Sequence, residues 1–229
     1  MSGAEPAEAL DKSGRVAAFF DMDRTLVHAN TGTLWIRWLY RRGELSRWKM
    51  LRALGWIAQY KLSVIDMEAV IEIANADLAG QSEAEMIDKC LEFTERLVLP
   101  AITDRARAAL DEHRRAGHEL AILSTSTPYV TEPLARSLGI EHVLCTRLEV
   151  QGGRFVGKHI RPACYGEGKV HYAEAFARAR RIDLGRSYFY TDSYSDLPML
   201  ERVGEARVIN PDARLRRHAR RVGWRVDEW

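Results

Sequence analysis

The sequence predicts an α/β fold, a doubly wound, mostly parallel sheet with a helical cap inserted after its first strand. Three observations carry that expectation. Residues 16–20 (VAAFF) form an uninterrupted apolar run, the pattern of a short strand buried on both faces. Strand patterns then vanish between about residues 30 and 97, where helical spacing takes over. After Pro100, short apolar runs alternate with helical stretches, which implies parallel strands with helices on both faces. The chain is divided accordingly into a loose polar tail (1–14), an α/β core (15–29 and 98–229) and a helical cap (30–97).

Each element has its own signal. In the cap, Met67, Val70, Ile71, Ala74 and Leu78 fall on one helical face. Ser82-Glu83-Ala84-Glu85 is a capping start for a further helix that turns Met86, Cys90, Phe93 and Leu97 inward. A helix at 103–116 stops at Gly117, and a strand follows at 119–123. Thr127-Pro128 opens the next helix, with Thr as its cap and Pro at its first position. A strand at 142–145 leads into a hairpin (147–156) turned at Gly152-Gly153. A helix at 167–181, a strand at 187–191, a helix at 195–202, a strand at 206–209 and a helix from Pro211 complete the alternation.

Composition narrows the function classes. With 46% hydrophobic and 29% charged residues, the chain has the makings of an ordinary globular core. A formal charge of +2 is too near neutral to argue for nucleic acid as a partner. Cys90, Cys145 and Cys164 lack CxxC or CxxH spacing and read as buried, reduced thiols, as in a cytoplasmic protein. The first residues, MSGAEPAEALDKSGR, contain no apolar core of a secretion signal. No uncharged apolar run approaches the roughly 18 residues of a membrane span.

In a parallel sheet of this kind, ligands bind beyond the carboxyl ends of the strands. The first predicted strand is followed by Asp21-Met22-Asp23-Arg24-Thr25, the second by Ser124-Thr125-Ser126-Thr127, and the one at 187–191 by Asp192-Ser193-Tyr194-Ser195-Asp196. Gly166-Glu167-Gly168-Lys169 lies between them, ahead of a helix. Singly, each has an ordinary explanation: a turn, a helix cap, a first-turn acid, a solvated lysine. Together they fall at strand ends or loops of one sheet and share one chemistry, phosphoryl transfer. Asp21 and Asp192 are hard oxygen donors suited to Mg2+, which binds through one or two carboxylates plus substrate phosphate. The Ser124 or Thr125 hydroxyl, with helix-terminal N–H groups, can hold phosphate oxygens. Lys169, one of only six lysines, is a compact charge able to pair with both a carboxylate and a phosphate. Without such cations the clustered carboxylates repel one another.

In this order, FFDMDRTL, ILSTS, GEGK and TDSYSDLPML resemble the four motifs of the haloacid-dehalogenase-like superfamily. The likeness is greatest to the phosphoserine-phosphatase-like branch (subfamily IB), with its helical cap after motif one, and covers about residues 16–215. It implies a Rossmann-like core and hydrolysis through an aspartyl-phosphate, with Asp21 as nucleophile. Asp23 would protonate the leaving alkoxide and then activate water, which requires surroundings that raise it above about 3.9. The resemblance further implies Mg2+ on the Asp21 side chain, the Asp23 main-chain carbonyl and Asp192. Ser124, Thr125 and Lys169 would bind phosphate, with Lys158 a rival for the lysine, and Asp196 would orient the metal site from behind. Dehalogenases of the family lack the second aspartate, so Asp23 favours phosphate esters; a phosphomutase keeps it too.

The substrate is less closely marked. Phosphoserine phosphatases of the family carry a glutamate nine positions after the nucleophile, to read an amino group. Here that position is Asn30, and residues 28–32 contain no acid. Asn30 is the specificity candidate, and the expected substrate is a small phosphate ester such as an amino-alcohol phosphate of the histidinol phosphate or phosphoserine type. Residues 34–62 open another reading. Four tryptophans, two tyrosines and seven basic residues against Glu44 alone form either cap helices with a solvated basic face or a surface suited to an anionic membrane and a lipid-derived monophosphate. The Arg-rich run 214–225 could extend it. From a different class, a receiver-type phospho-accepting domain shares aspartates, hydroxyls, lysine and Mg2+, but is about half this length and lacks a helical insert. Arg24 has no role in any of these readings.

Overall fold

The protein is described here by a computed structural model covering residues 14–48, 50–52, 55 and 67–229. The expected tail, Gly14 apart, and much of the basic–aromatic run (49, 53–54 and 56–62) lie outside the described residues. In chain order the strands are β1 (Ala17–Phe20), β2 (Glu119–Ser124), β3 (His142–Cys145), β4 (Leu148–Gln151), β5 (Arg154–His159), β6 (Tyr188–Thr191), β7 (Glu205–Ile209) and β8 (Arg225–Asp227). The helices bounded within the described residues are α1 (Thr31–Arg41), α2 (Met67–Ala76), α3 (Glu83–Phe93), α4 (Asp104–Arg115), α5 (Pro128–Leu138), α6 (Glu167–Arg180), α7 (Leu197–Arg202) and α8 (Ala213–Val222).

Six strands form a parallel sheet in the order β3–β2–β1–β6–β7–β8, and β4–β5 is a separate antiparallel hairpin. From β1 the chain builds outward to β2 and β3, then crosses back to β6 and builds the other way. The reversal leaves a crevice beyond the carboxyl ends of β1 and β6, the place where such sheets bind ligands. Alternation along β1 feeds two cores. Ala17 and Phe19 join Leu123, Ala173, Phe189, Leu200 and Leu215 on one face, while Ala18 and Phe20 join Leu110, Ile122 and Leu134 on the other.

The helical segment between β1 and α4 shares the second core. Trp38, Cys90 and Phe93 are buried in it, with Met86 and Leu97 packed against them. Trp35 and Trp38 lie 5.0 and 5.6 Å from the Phe93 ring. Burial of one such aromatic side chain is worth about 1.5–3 kcal/mol, so these rings fix the helices to the sheet layer. The expected face on α2 is only partly visible. The side chains of Met67, Val70 and Ala74 lie outside the described residues, and Leu78 falls in the turn after the helix.

Local chemistry sets the boundaries. Asn30, Ser82, Thr103 and Asp212 each cap a helix by accepting from a first-turn N–H. Thr127 occupies the cap position of α5, but its side chain makes no capping hydrogen bond; its carbonyl accepts from the N–H groups of Val130 and Thr131. The helix expected through Leu97 leaves α geometry after Phe93, passing through a π turn (Thr94–Val98) and a 3-10 turn (Leu99–Ala101). Pro100 has no N–H to continue the ladder. Residues Tyr194–Asp196 form a 3-10 turn before α7, where a single helix was expected. Strand β8 was not expected at all, because three residues at a sheet edge leave no periodic trace. Gly152 and Gly153 turn the hairpin at φ 58° and 72°, a geometry suited to glycine. Backbone hydrogen bonds from Gly80 to Phe155 and from Glu83 to Gly153 tie the hairpin to the start of α3. All three cysteines are buried free thiols. Among the described residues, no helix is long and apolar enough to cross a membrane.

Under the sheet, His113 is buried and shares hydrogen bonds of 2.8 Å with His118 Nδ1 and the Tyr190 hydroxyl. Burial, with the positive neighbours His118 and Arg207, pushes its imidazole down to about 4. An unfolded chain takes up a proton on His113 near an ordinary value of about 6.5, whereas the folded one does so only near 4. Stability therefore falls as pH drops through that window. Chemical denaturation should show the stability gap between the native protein and His113→Gln narrowing from neutral pH to about pH 4. A constant gap would remove His113 from the account.

Candidate active site

Asp21 is the first residue past β1, and its N–H extends the ladder by donating to the Tyr190 carbonyl at 2.8 Å. The loop then doubles back, because the Met22 carbonyl accepts from the N–H groups of Leu26 and Val27 at 3.0 and 3.1 Å. Ser124 ends β2, Asp192 follows β6, and Lys169 stands in the first turn of α6. All four line one cavity of about 310 Å³ together with Asp23 and Asp196. A larger groove of about 840 Å³ between α3, α5 and the hairpin contains none of these residues. The crevice predicted from topology and the cavity that holds the carboxylates are the same place.

Lys169 is its centre. Only 1% of the residue is exposed. Its ammonium donates to Asp21 Oδ1 at 2.8 Å and to Asp196 Oδ2 at 2.6 Å, and Thr191 Oγ1 donates to the same Asp196 oxygen at 2.6 Å. Burial works against the charged lysine, but Asp196 and Asp21 outweigh it and hold Lys169 above the ordinary lysine range. Asp21 is pushed up to about 7, by burial first, with Lys169 opposing. Asp192 rises to about 8, by burial and then by the charges of Asp21, Asp196 and Asp23. One buried cation thus serves a cluster of four acids. Lys158, the rival lysine, is exposed on β5 and does not line the cavity. Asp196 contacts Lys169 and Thr191, so its orienting action passes through the lysine.

Lys169 reaches this position because Gly168 lets α6 start against the preceding loop. A Cβ on Gly168 would lie 1.8 Å from the Ala163 carbonyl oxygen, an impossible approach for any other residue. The motif containing the lysine therefore needs its glycine for packing.

Asp23 is held differently. Its Oδ1 accepts from Thr31 N (3.0 Å) and Thr31 Oγ1 (2.7 Å), and its Oδ2 from Asn30 Nδ2 (2.8 Å). Burial raises its pKa, while the Thr31 hydrogen bonds oppose the rise. Asn30 lines the cavity, but its amide is engaged at both ends, because Oδ1 caps α1 by accepting from Thr33 N and Oγ1. Asn30, the specificity candidate of the sequence, makes its contacts with the protein's own carboxylate and with Thr33. Thr31 was missed, although its place one residue after a capping Asn was a usable signal. Arg24 sits at φ 56°, with its N–H on the Ala29 carbonyl and its own carbonyl accepting from Asn210 Nδ2. Its side chain is exposed at the cavity mouth, where its charge lowers Asp192 and Asp23.

The hydroxyls divide. Ser124 Oγ accepts from Ser126 N at 3.2 Å, which leaves its own proton to donate. Thr125 Oγ1 donates to the Cys164 carbonyl at 3.1 Å, so it meets a ligand only as an acceptor or after changing partner. Tyr165, Tyr194 and Asp212 also line the cavity and were not singled out from sequence. Asp212 is committed to the N–H groups of Tyr194, Arg214 and Leu215.

The donor set fits a hard divalent cation. Asp21 and Asp192 bring two carboxylates with a single buried ammonium between the four acids, an excess of negative charge that a cation would relieve. Asp23, its carboxylate turned onto α1, can contribute only through the main chain. No three acidic, histidine or cysteine side chains group as metal ligands among the described residues.

A parallel α/β core with this acid cluster and buried lysine at its switch point defines a phosphatase. A family model described as haloacid dehalogenase-like hydrolase matches residues 18–201, and the chain belongs to that family. It is 30% identical to a histidinol-phosphatase of Neisseria meningitidis over 91% of this chain and 96% of that one. A phosphoserine phosphatase of Mycobacterium tuberculosis is 34% identical over 93% of this chain and 70% of its own length. Among solved structures, a protein of unknown function from Bordetella pertussis superposes with a TM-score of 0.84 at 30% identity, covering 93% of this chain and 98% of that one. The enzyme acts on a small phosphorylated metabolite through an aspartyl-phosphate, which sets aside the receiver-type reading.

Two substitutions test the charge balance. Lys169→Met leaves two carboxylates buried without their cation and should cost about 3–5 kcal/mol of unfolding free energy, measured by urea denaturation in a metal chelator. Adding Asp196→Asn should recover part of that loss, and additive losses would contradict the pairing.

Proposed function

We propose that the enzyme is a Mg2+-dependent phosphatase of amino-alcohol phosphates of the histidinol phosphate or phosphoserine type. The observation that carries the reading is the Lys169–Asp21 ion pair at the floor of a cavity whose rim holds Asp23 on the N-terminus of α1. Its volume of about 310 Å³ suits a small ester, and the names of the curated relatives in Neisseria and Mycobacterium motivate the choice of alcohol. Residues 30–97 act as a cap over the core formed by 15–29 and 98–229. The buried free thiols support a cytoplasmic enzyme.

In this reading Lys169 binds Asp21 Oδ1, and Oδ2 attacks phosphorus. As the new bond forms, the bond from phosphorus to the alcohol oxygen breaks, and Asp23 gives that oxygen its proton. Asp23, now an anion, takes a proton from water as the water attacks the aspartyl-phosphate, which frees phosphate and restores Asp21. Lys169 and the Ser124 hydroxyl hold the phosphate oxygens, and Thr125 joins them once its hydroxyl leaves the Cys164 carbonyl. Asp21, Asp192 and the Asp23 carbonyl would hold Mg2+, which neutralises charge on the transferring group when bound.

A second reading rests on one surface feature. Trp48 is 83% and Leu51 57% exposed, beside exposed Arg47 and Arg52, which would suit an anionic membrane carrying a lipid monophosphate.

Phosphate release from histidinol phosphate, phosphoserine, phosphocholine, glycerol phosphates and lysophosphatidic acid decides between them. An amino-alcohol phosphate should give the highest kcat/KM, only with Mg2+, and Asp21→Asn should remove turnover. A lipid winner supports the second reading, and undiminished turnover by Asp21→Asn overturns the nucleophile.

A further inference from the structure

The contacts of Asn30 point to a role that no motif assigns. We propose that Asn30 is a positioning residue for proton transfer, which aims the carboxyl of Asp23 from the first turn of α1. The inference rests on the assignment of Asp23 as proton carrier.

Hydrogen-bond capacity carries the argument. An ionised carboxylate has about four acceptor sites, two on each oxygen. Thr31 N and Thr31 Oγ1 fill both on Oδ1, at 3.0 and 2.7 Å, and Asn30 Nδ2 fills one on Oδ2 at 2.8 Å. A single site remains, the second lone pair of Oδ2. A proton carried by Asp23 takes that site without breaking any of these hydrogen bonds, since Thr31 N and the Asn30 NH2 only donate. A proton on Oδ1 instead requires the Thr31 hydroxyl to turn from donor to acceptor. Thr31 therefore turns the proton away from Oδ1, and Asn30 decides in which direction it points from Oδ2.

The orientation of the Asn30 amide follows from its surroundings. Thr33 N is a donor with no proton-accepting capacity, and it lies 2.9 Å from one end of the amide. That end must be the carbonyl oxygen, so the NH2 end must face Asp23. A flipped amide would set N–H against N–H and O against O. The residue type is equally constrained. Glutamate or aspartate at this position has no donor for Asp23 and adds a like charge beside it.

All three donors to Asp23 come from the cap and first residue of α1, the start of the segment between β1 and α4. The proton carrier is thus aimed by the part of the chain that covers the core. Substrate seating that shifts the start of α1 would shift Asp23 with it, because the three hydrogen bonds span only residues 23, 30 and 31.

Leaving-group chemistry separates this role from a structural one. An alkyl phosphate releases a strongly basic alkoxide that needs a proton in the transition state, whereas p-nitrophenolate leaves without one. Asn30→Ser keeps a good helix cap and removes the amide donor. Its kcat/KM should fall roughly tenfold further for an alkyl phosphate than for p-nitrophenyl phosphate, a part of the 10²–10⁴-fold worth of a general acid. Asn30→Gln, a longer amide, should show the same direction, and equal losses for both substrates, or none, would overturn the proposal. Asp23→Asn is the control. If it shows the leaving-group dependence and Asn30→Ser does not, the positioning role fails alone; if Asp23→Asn lacks it, the proton-carrier assignment fails.

Discussion

The ammonium of Lys169 is the interaction on which the rest of the site depends. Two carboxylates, Asp21 and Asp196, are almost fully buried at the carboxyl end of the sheet, where neither could remain charged alone. Lys169 lies within 2.8 Å of both and offsets their desolvation. It also occupies only one oxygen of the nucleophile candidate. Buried ion pairs are weak evidence for stability, because their Coulomb energy is largely spent on desolvation. This one is better explained as a device that holds Asp21 still and opposes the rise that burial imposes on it. Its geometry rests on the backbone: Gly168 lets α6 approach the Ala163 carbonyl, and Thr191 holds Asp196 in place.

What Lys169 leaves uncompensated matters as much. Asp192 stands at about 8 because its surroundings are dry and its neighbours are acids. A divalent cation there would restore the charged form that burial and the neighbouring acids disfavour, a physical case independent of family membership. The fourth acid, Asp23, is separated from the cluster by being turned onto α1. The same sheet end therefore holds carboxylates in two different states. One group is arranged around the Lys169 ammonium and the other around helix-terminal N–H and amide donors. Trp38 and Phe93 connect the helix that supplies those donors to the core, so the position of Asp23 is tied to packing well outside the cavity.

Much of this was legible in the sequence, and the exceptions share a cause. The run at 16–20, the strand–helix alternation after Pro100 and the Gly152-Gly153 turn are local signals, and the elements lie where they point. The site carboxylates and Lys169 were legible because they sit directly after strands whose ends must converge in a parallel sheet. Partners were harder to read, since they depend on distances between remote residues. Thr125 looked like a phosphate ligand by its place after Ser124, yet its proton goes to the Cys164 carbonyl, 39 positions away. Asp196 was expected to orient the metal site from behind, and the partners it holds are Lys169 and Thr191. Asn30 was judged by comparison with an acid that reads substrate, and that comparison hid its own chemistry as a cap with a spare N–H. Arg24 had no explanation as a motif residue; the structure gives its backbone a left-handed turn held by Ala29 and Asn210.

The central claim is that the carboxylate paired with Lys169 is the one that takes the phosphoryl group. An acyl phosphate is reduced by borohydride, which converts the carboxyl carbon of the phosphorylated aspartate to an alcohol and leaves free carboxylates intact. Enzyme quenched during turnover, reduced and digested should show aspartate-to-homoserine conversion at Asp21, dependent on both substrate and Mg2+. Conversion at Asp23 or Asp192 instead would contradict the account.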